Sequence, residues 1–309
     1  MSLIWQKYKT MKSIVIIGQG QLGLQLTKRH LAVNHQILSV SRSSLEALHT
    51  SHQHLVADLD ALSDNISLPD KIDCLYYLAP PSDTDMTDNR LKTLLSSLGH
   101  NQVAHIIYIS TSGVYGDSGG QWLTETSPTN PTADRAKRRL NSEQQLKQFQ
   151  REYNTLVTIL RCAAIYSQKT INQKRISENT RPVIQSTQAP YTNRIHLEDL
   201  TEVCWQAMSQ PPAKLEIYNV SDGHPSTTTE HAWLLADLAG IKRNVEIDIA
   251  EADKFYSPAY MSYLKESKKL DITKLKQKLK PNFKFENCID GIKDCLKNSQ
   301  KITSEDKSN

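Results

Sequence analysis

The sequence predicts an α/β protein, a doubly wound parallel sheet followed by a smaller C-terminal lobe that covers substrate. Two observations carry this. From Ser13 onward, short apolar segments alternate with amphipathic stretches, the rhythm of βαβ units. Eleven glycines in 309 residues is about half the usual ~7%, yet three of them fall within six positions directly after the first apolar segment.

The predicted strands are Ser13 to Ile17, Gln36 to Val40, His54 to Ala57, Cys74 to Leu78, His105 to Ile109 and Leu156 to Leu160. Between them the spacing predicts helices at Gln21 to Val33, Ser43 to His49, Asp85 to Leu98 and Thr132 to Gln150. After Arg161 the rhythm loosens. A further strand is expected at Glu216 to Val220, then a helix from Ser226 to Ala239 stopped by Gly240. In the lysine-rich segment Lys265 to Lys284, Leu270, Ile272, Leu275 and Leu279 are spaced for one face of a solvated amphipathic helix. The expected organisation is an extension over residues 1–11, a nucleotide-binding domain over 12–166, a mixed region over 167–298 that partly completes the sheet, and a disordered tail over 299–309.

Composition narrows the function. No apolar stretch approaches the ~18 to 20 residues of a membrane-spanning helix, and the first residues lack the apolar core of a secretion signal. A soluble, cytoplasmic protein without a membrane partner is expected. Lys plus Arg exceed Asp plus Glu by 37 against 33, too small an excess to favour nucleic acid. Five cysteines without a C-x-x-C read as reduced thiols rather than disulfides or a zinc site. Cys288 and Cys295 fall on one face of the last helix as small buried residues. His49, His52 and His54 have no acidic or cysteine ligands at suitable spacing, so no metal is expected. Hydrolase and zinc-protease signatures are missing.

The glycines form G-x-G-x-x-G in Gly18-Gln19-Gly20-Gln21-Leu22-Gly23, after a strand and opening a helix. In that context Gly18 serves the tight turn, Gly20 the approach of a pyrophosphate, and Gly23 the packing of helix on strand. The helix N-terminus then receives the anion. The second strand ends in Ser41-Arg42-Ser43-Ser44, with no carboxylate for ribose hydroxyls. Arg42 suits a 2′-phosphate, which predicts NADP over NAD, or else is a solvated turn residue. Asp58 either accepts from an adenine amino group or caps a helix.

Tyr108-Ile-Ser-Thr111-Ser-Gly-Val-Tyr115-Gly116-Asp117, together with the glycine motif, resembles the extended short-chain dehydrogenases/reductases of the nucleotide-sugar epimerase and dehydratase type. Leu78-Ala79-Pro80, Leu160-Arg161, Ile165-Tyr166, Arg194-Ile-His196-Leu-Glu-Asp199 and Tyr218-Asn219-Val-Ser-Asp222 extend the resemblance over about residues 12 to 296. It implies a small-molecule substrate, a sugar nucleotide among the candidates, oxidised or reduced at a hydroxyl or keto group. It also places Ala79 and Pro80 beside the cofactor and Thr111 on the substrate oxygen. The family's Tyr-x-x-x-Lys pair is replaced. Aligned on Glu143, the helix has Arg135 at the tyrosine position and Arg139 at the lysine position. A guanidinium is no base at neutral pH. Arg139 can hold ribose or phosphate and Arg135 a substrate anion, but neither takes a proton.

Replacement proton carriers are Tyr166, Tyr115 and His196. The other readings are a packing role for Tyr166 and a backbone-bonded structural role for His196. Asp199 is expected to support the following helix terminus. Asn193 and Arg194 face a substrate pocket or form a surface pair. The alternative to an enzyme is a catalytically silent dinucleotide-binding protein that senses cofactor or scaffolds a partner. Leu91, Leu94, Leu95 and Leu98 make a single apolar stripe that the chain's own sheet consumes, so a monomer or weak homodimer is expected.

Overall fold

A computed structural model describes residues 11–61, 66–100 and 102–305, with side chains up to 297. The predicted extension lies almost wholly outside the described residues. In chain order the first elements are β1 (Ser13–Ile17), α1 (Gln21–Leu31), β2 (Gln36–Ser41), β3 (His52–Val56), β4 (Cys74–Tyr77), α2 (Asn89–Ser97) and β5 (His105–Thr111). Then come β6 (Trp122–Leu123), α3 (Asp134–Tyr153), β7 (Leu156–Cys162), β8 (Ala164–Tyr166), α4 (Gln173–Glu178), β9 (Val183–Ile184), β10 (Tyr191–Thr192) and β11 (Arg194–His196). The chain continues through α5 (Leu197–Ser209), β12 (Leu215–Val220), β13 (Ser226–Thr227), α6 (Thr228–Ala239), β14 (Glu246–Ile247), α7 (Pro258–Leu264), β15 (Lys269–Leu270), α8 (Thr273–Lys278) and α9 (Cys288–Glu305).

Two compact units result, interleaved in sequence rather than cut once near residue 166. One holds the chain up to Val114, Asp134–Arg161 and Thr201–Tyr218, and the other holds Tyr115–Ala133, Cys162–Leu200 and the chain from Asn219. The first contains the predicted sheet, seven strands in the order β12-β7-β5-β4-β1-β2-β3. Strand β1 pairs in parallel with both β2 and β4, so the order reverses there. Such a reversal opens a crevice at the strand ends, where doubly wound sheets bind ligands.

Alternation sorts the side chains onto two faces. Leu75 and Tyr77 join Val15, Ile17, Leu91, Leu94, Leu146 and Phe149 in a core beneath α2 and α3. Tyr76 points the other way, its hydroxyl 3.1 Å from His30 Nε2, with the Trp205 ring tilted against that histidine, their centroids 5.1 Å apart.

In the second unit, α6 begins with a capping box in which Thr227 and Glu230 satisfy each other's backbone N–H, and Gly240 caps its end. Its face packs with α9, burying Cys288, Ile292, Cys295 and Leu296.

Three local expectations are overturned. Residues Ser43 to His49 form no helix, because Ser41 Oγ and His54 Nε2 donate to Ser43 O at 2.9 Å and Leu48 N–H donates to His52 Nδ1 at 3.2 Å. Side chains thus take the backbone groups that a helix would pair. Lys265 to Lys284 is no continuous helix either. Its residues 269–270 are extended beside Trp122–Leu123, through Lys269 N–H to Gln121 O and Asp271 N–H to Leu123 O, leaving only the short α8. All four apolar residues of its expected stripe are nonetheless buried. Residues 299–305, expected to be disordered, continue α9, which its packed first turns nucleate.

Candidate active site

Gly18 has φ +107° and lies under the loop that leaves β4, where a Cβ would come within 3.0 Å of Ala79 N. At Gly23 a Cβ would meet Gly18 O at 2.2 Å, so this glycine lets α1 start against the end of β1. A Cβ at Gly20 would meet nothing within 4 Å. The helix beginning at Gln21 takes no side-chain cap hydrogen bond at Gly20, and a helix N-terminus favours an anion. Leu22 is buried beneath, and Gln19 turns inward, donating from Nε2 to Thr27 Oγ1 at 2.8 Å. These residues fit a dinucleotide pyrophosphate.

The β4 loop forms the other lip. Leu78 and Ala79 N–H both donate to Ile17 O, at 2.9 and 3.1 Å. Arg90 Nη1 donates to Pro80 O at 2.8 Å and Nε to Asp60 Oδ1 at 2.6 Å, and that guanidinium holds Asp60 below its ordinary carboxylate range. Arg42 is exposed just past β2. Asp58 Oδ1 accepts from Asp60 N–H at 3.0 Å in the turn that follows β3.

At the end of β5, Thr111 Oγ1 accepts from Gly113 N–H at 3.1 Å, which leaves its own proton to donate elsewhere. The following turn lies on α3, a Cβ at Gly113 coming 3.3 Å from Ala136 Cβ. Arg135 is exposed in the first turn of α3. One turn later, Arg139 Nη1 lies 2.8 Å from Ile109 O, 3.3 Å from Ala79 O and 3.2 Å from the Tyr108 hydroxyl. It therefore bridges the ends of β4 and β5. Arg138 donates to Asp85 O at 2.6 Å and Asp83 O at 2.9 Å.

The predicted proton carriers lie in the second unit and are structural in their surroundings. Tyr166 is 5% exposed, and a Cβ at Gly291 would lie 2.1 Å from its hydroxyl. Burial drives its pKa far up. These surroundings are those of the packing role that the sequence also allows for Tyr166. Tyr115 is buried and donates to Asn219 Oδ1 at 2.6 Å. His196 Nδ1 accepts from Glu198 N–H at 3.2 Å, with Phe285 and Tyr166 against its ring, and burial lowers its pKa. Asp199 Oδ1 accepts from Lys284 N–H at 2.6 Å, anchoring that segment rather than only its own helix, and burial raises its pKa to about 6. Arg194 is 7% exposed, with Nη1 on Ser226 Oγ at 2.9 Å, so the expectation of a surface pair falls away.

The second unit also holds a cavity of about 230 Å³. Arg175, Arg181 and Asn179 contribute to its wall, with Tyr256, Tyr260 and Thr228, and no carboxylate lines it. Among the described residues no cluster of three metal-ligating side chains exists. His52 and His54 instead each lie 2.8 Å from Ser39 Oγ.

Within the first unit, then, the glycine loop, Ala79, Pro80, Thr111 and Arg139 gather at the ends of β1, β4 and β5. Arg90 and Arg138, which secure the β4 loop, escaped the sequence reading because loop carbonyls leave no pattern.

Residues 14–221 match the model for the NAD dependent epimerase/dehydratase family. A search of curated proteins finds no match. Among solved structures, a functionally unknown conserved protein from Silicibacter pomeroyi DSS is 25% identical at a TM-score of 0.78, covering 94% of this chain and 99% of that one. The UDP-glucuronic acid 4-epimerase from Bacillus cereus, in complex with NAD, is 16% identical at TM-score 0.72, covering 94% of this chain and 99% of its own. A UDP-N-acetylglucosamine 4-epimerase from Methanobrevibacter ruminantium M1 is 17% identical at TM-score 0.72, covering 93% and 98%. At these identities the two epimerases establish likeness of fold.

Proposed function

The chain belongs to the NAD dependent epimerase/dehydratase family, and from that premise we propose that it is a dinucleotide-dependent enzyme acting on a hydroxyl or keto group of a nucleotide-linked sugar, with NADP preferred over NAD. The observation that carries the cofactor part is that a Cβ at Gly23 would collide with Gly18 O, so that glycine lets a helix start without a side-chain cap lie beside the end of β1. The bound nicotinamide supplies hydride transfer. Backbone amides of α1 hold the pyrophosphate, and Arg42 meets the 2′-phosphate. Asp58 is proposed at the adenine end, and Ala79 and Pro80 form the second wall of the cofactor cleft.

Thr111, its lone pair taken by Gly113, donates its hydroxyl proton to the substrate oxygen. Arg139 holds the strand ends that carry Ala79 and Thr111 in register. Arg135 anchors a substrate anion, and the arginine-rimmed, carboxylate-free cavity supports an anionic substrate independently. No side chain in this scheme takes the place of the tyrosine. The substrate proton exchanges with water, and turnover is slowed by the ~10²- to 10⁴-fold that a positioned acid/base contributes.

A second reading is favoured by two observations: Arg139 spends Nη1 on three protein acceptors, and Tyr166 is sealed in packing. It is a silent dinucleotide-binding protein. Fluorescence titration with NADPH and NADH, followed by a screen of UDP-sugars for nicotinamide oxidation or reduction, separates the two. Slow turnover abolished by Thr111→Ala supports the enzyme. Tight NADPH binding without turnover supports the silent protein, and absence of binding by either coenzyme rejects both.

A further inference from the structure

Glu266 and Lys268 form an ion pair inside the second unit, Nζ to Oε2 at 2.5 Å, with side-chain exposures of 5% and 7% respectively. The other carboxylate oxygen, Oε1, is buried and has no hydrogen-bond partner among the described residues. The ammonium has three N–H groups, and the Glu266 contact accounts for one of them. Burying such a pair costs several kcal/mol per ion unless every lone pair and proton is satisfied, so this arrangement is poorly suited to stabilising the fold.

The backbone around it is fixed on both sides. Lys268 N–H donates to Tyr191 O at 3.2 Å, and Asn193 brackets it, Nδ2 donating to Lys268 O and Oδ1 accepting from Leu270 N–H, both at 2.9 Å. Ser267 N–H donates to Asp117 Oδ1 at 2.7 Å, and Ser267 O accepts from Ser118 and Gly120 N–H at 3.1 and 2.9 Å. Asp117 to Gly120 is the loop that leaves the Thr111 motif six residues on. Residues 266, 268 and 270 alternate onto one side of this extended segment, and Leu270 is fully buried. The polar atoms are thus held still before any ligand arrives, the preorganisation that recognition needs.

We infer that Glu266 and Lys268 are a recognition socket for a hydroxyl-bearing ligand. A hydroxyl donates to Glu266 Oε1 and accepts from Lys268 Nζ, and because the pair is neutral overall it selects hydroxyls rather than net charge. This rests on the sugar-nucleotide reading for the identity of the ligand, whose sugar supplies the hydroxyls.

Calorimetry with NADPH present decides it, using UDP-glucose, UDP and free D-glucose as probes of wild type and of the double variant Glu266→Gln/Lys268→Met. The expected result is that wild type binds UDP-glucose about tenfold or more tightly than UDP. The double variant loses that preference, binds UDP unchanged and melts no lower than wild type. Retention of the preference, or its loss together with weakened UDP binding, overturns the socket. Where the double variant does not fold, Lys268→Arg is read for the same ratio. If wild type binds free glucose but no nucleotide, the sugar-nucleotide reading fails while loss of glucose binding in the variant upholds the socket. Response to none of the three probes overturns it.

Discussion

Glu143 on α3 and Arg161 on β7 meet in a two-point ion pair, Nε to Oε1 at 3.0 Å and Nη2 to Oε2 at 2.7 Å, with both side chains almost wholly shielded from solvent. Ser110 Oγ donates to the same Oε1 at 2.7 Å. The pair therefore ties the helix that carries Arg135 and Arg139 to the strand end that carries Thr111. Helix α3 is polar along most of its length and buries few apolar side chains, so this charge pair takes over part of the anchoring that an apolar seam gives elsewhere.

Arg161→Met leaves the Glu143 carboxylate buried without its counter-ion, which costs ~3 to 5 kcal/mol. Urea denaturation is expected to show that loss, and Glu143→Gln added to Arg161→Met is expected to recover most of it. A single variant within about 1 kcal/mol of wild type would mean that the pair contributes little to holding α3.

The glycine loop offers two substitutions with opposite signatures. Gly20→Ala meets nothing within 4 Å, so the fold is expected to melt as wild type. Its methyl would nevertheless occupy the proposed approach of the pyrophosphate, and NADPH affinity should fall about tenfold or more. Gly23→Ala drives a methyl into Gly18 O and is expected to lower stability by ~1 to 3 kcal/mol along with binding. Fluorescence titration and thermal melting on the same samples distinguish them. Unchanged NADPH affinity in Gly20→Ala would remove the cofactor from this loop.

The strands of the sheet and the glycine motif were legible because both rest on local pattern: alternation marks a strand, and Gly18 is demanded by its own backbone. Two of the failures share one cause. Ser43 to His49 and Lys265 to Lys284 have helical spacing, yet each surrenders backbone groups to partners distant in sequence, His54 in one case and Trp122–Leu123 in the other. The packing of Tyr166 was illegible in the same way, since its motif position says nothing of Gly291, which lies against its hydroxyl.

Tyr166→Phe is therefore expected to leave cofactor binding and any turnover within about twofold of wild type, as a packing role for its hydroxyl requires. Gly291→Ala, which forces a methyl against that hydroxyl, is expected to destabilise by ~1 to 3 kcal/mol. A Tyr166→Phe variant that binds NADPH normally but loses turnover entirely would return the tyrosine to the reaction.

Acid sensitivity follows from His30, whose pKa falls from 6.5 to about 3 through burial first and then the positive field of His35. The unfolded chain takes up this proton near pH 6.5 and the folded chain does not, so the folded form is favoured above pH 6.5. That advantage drains away as pH falls from 6.5 toward 3. Burial lowers His105 to about 4, in the same direction. His30→Gln is expected to flatten the stability profile by roughly 3 kcal/mol across this window in pH-dependent urea melts. An unaltered slope would show that other groups govern it.

The proposed preference for NADP turns on one exposed guanidinium. Arg42 stands just past β2, the place where a carboxylate would hold unphosphorylated ribose, and Ser43 and Ser44 follow it. A charge-assisted bond to phosphate contributes ~1.5 to 3 kcal/mol, so Arg42→Ala is expected to weaken NADPH about 10- to 100-fold. NADH, which lacks the phosphate, should change less than about threefold. The affinity ratio therefore moves, whereas general damage to the cleft would lower both coenzymes together. A ratio unchanged by the substitution would assign Arg42 to the solvent and leave the ribose to be recognised by the neighbouring hydroxyls and backbone, which do not discriminate the phosphate charge.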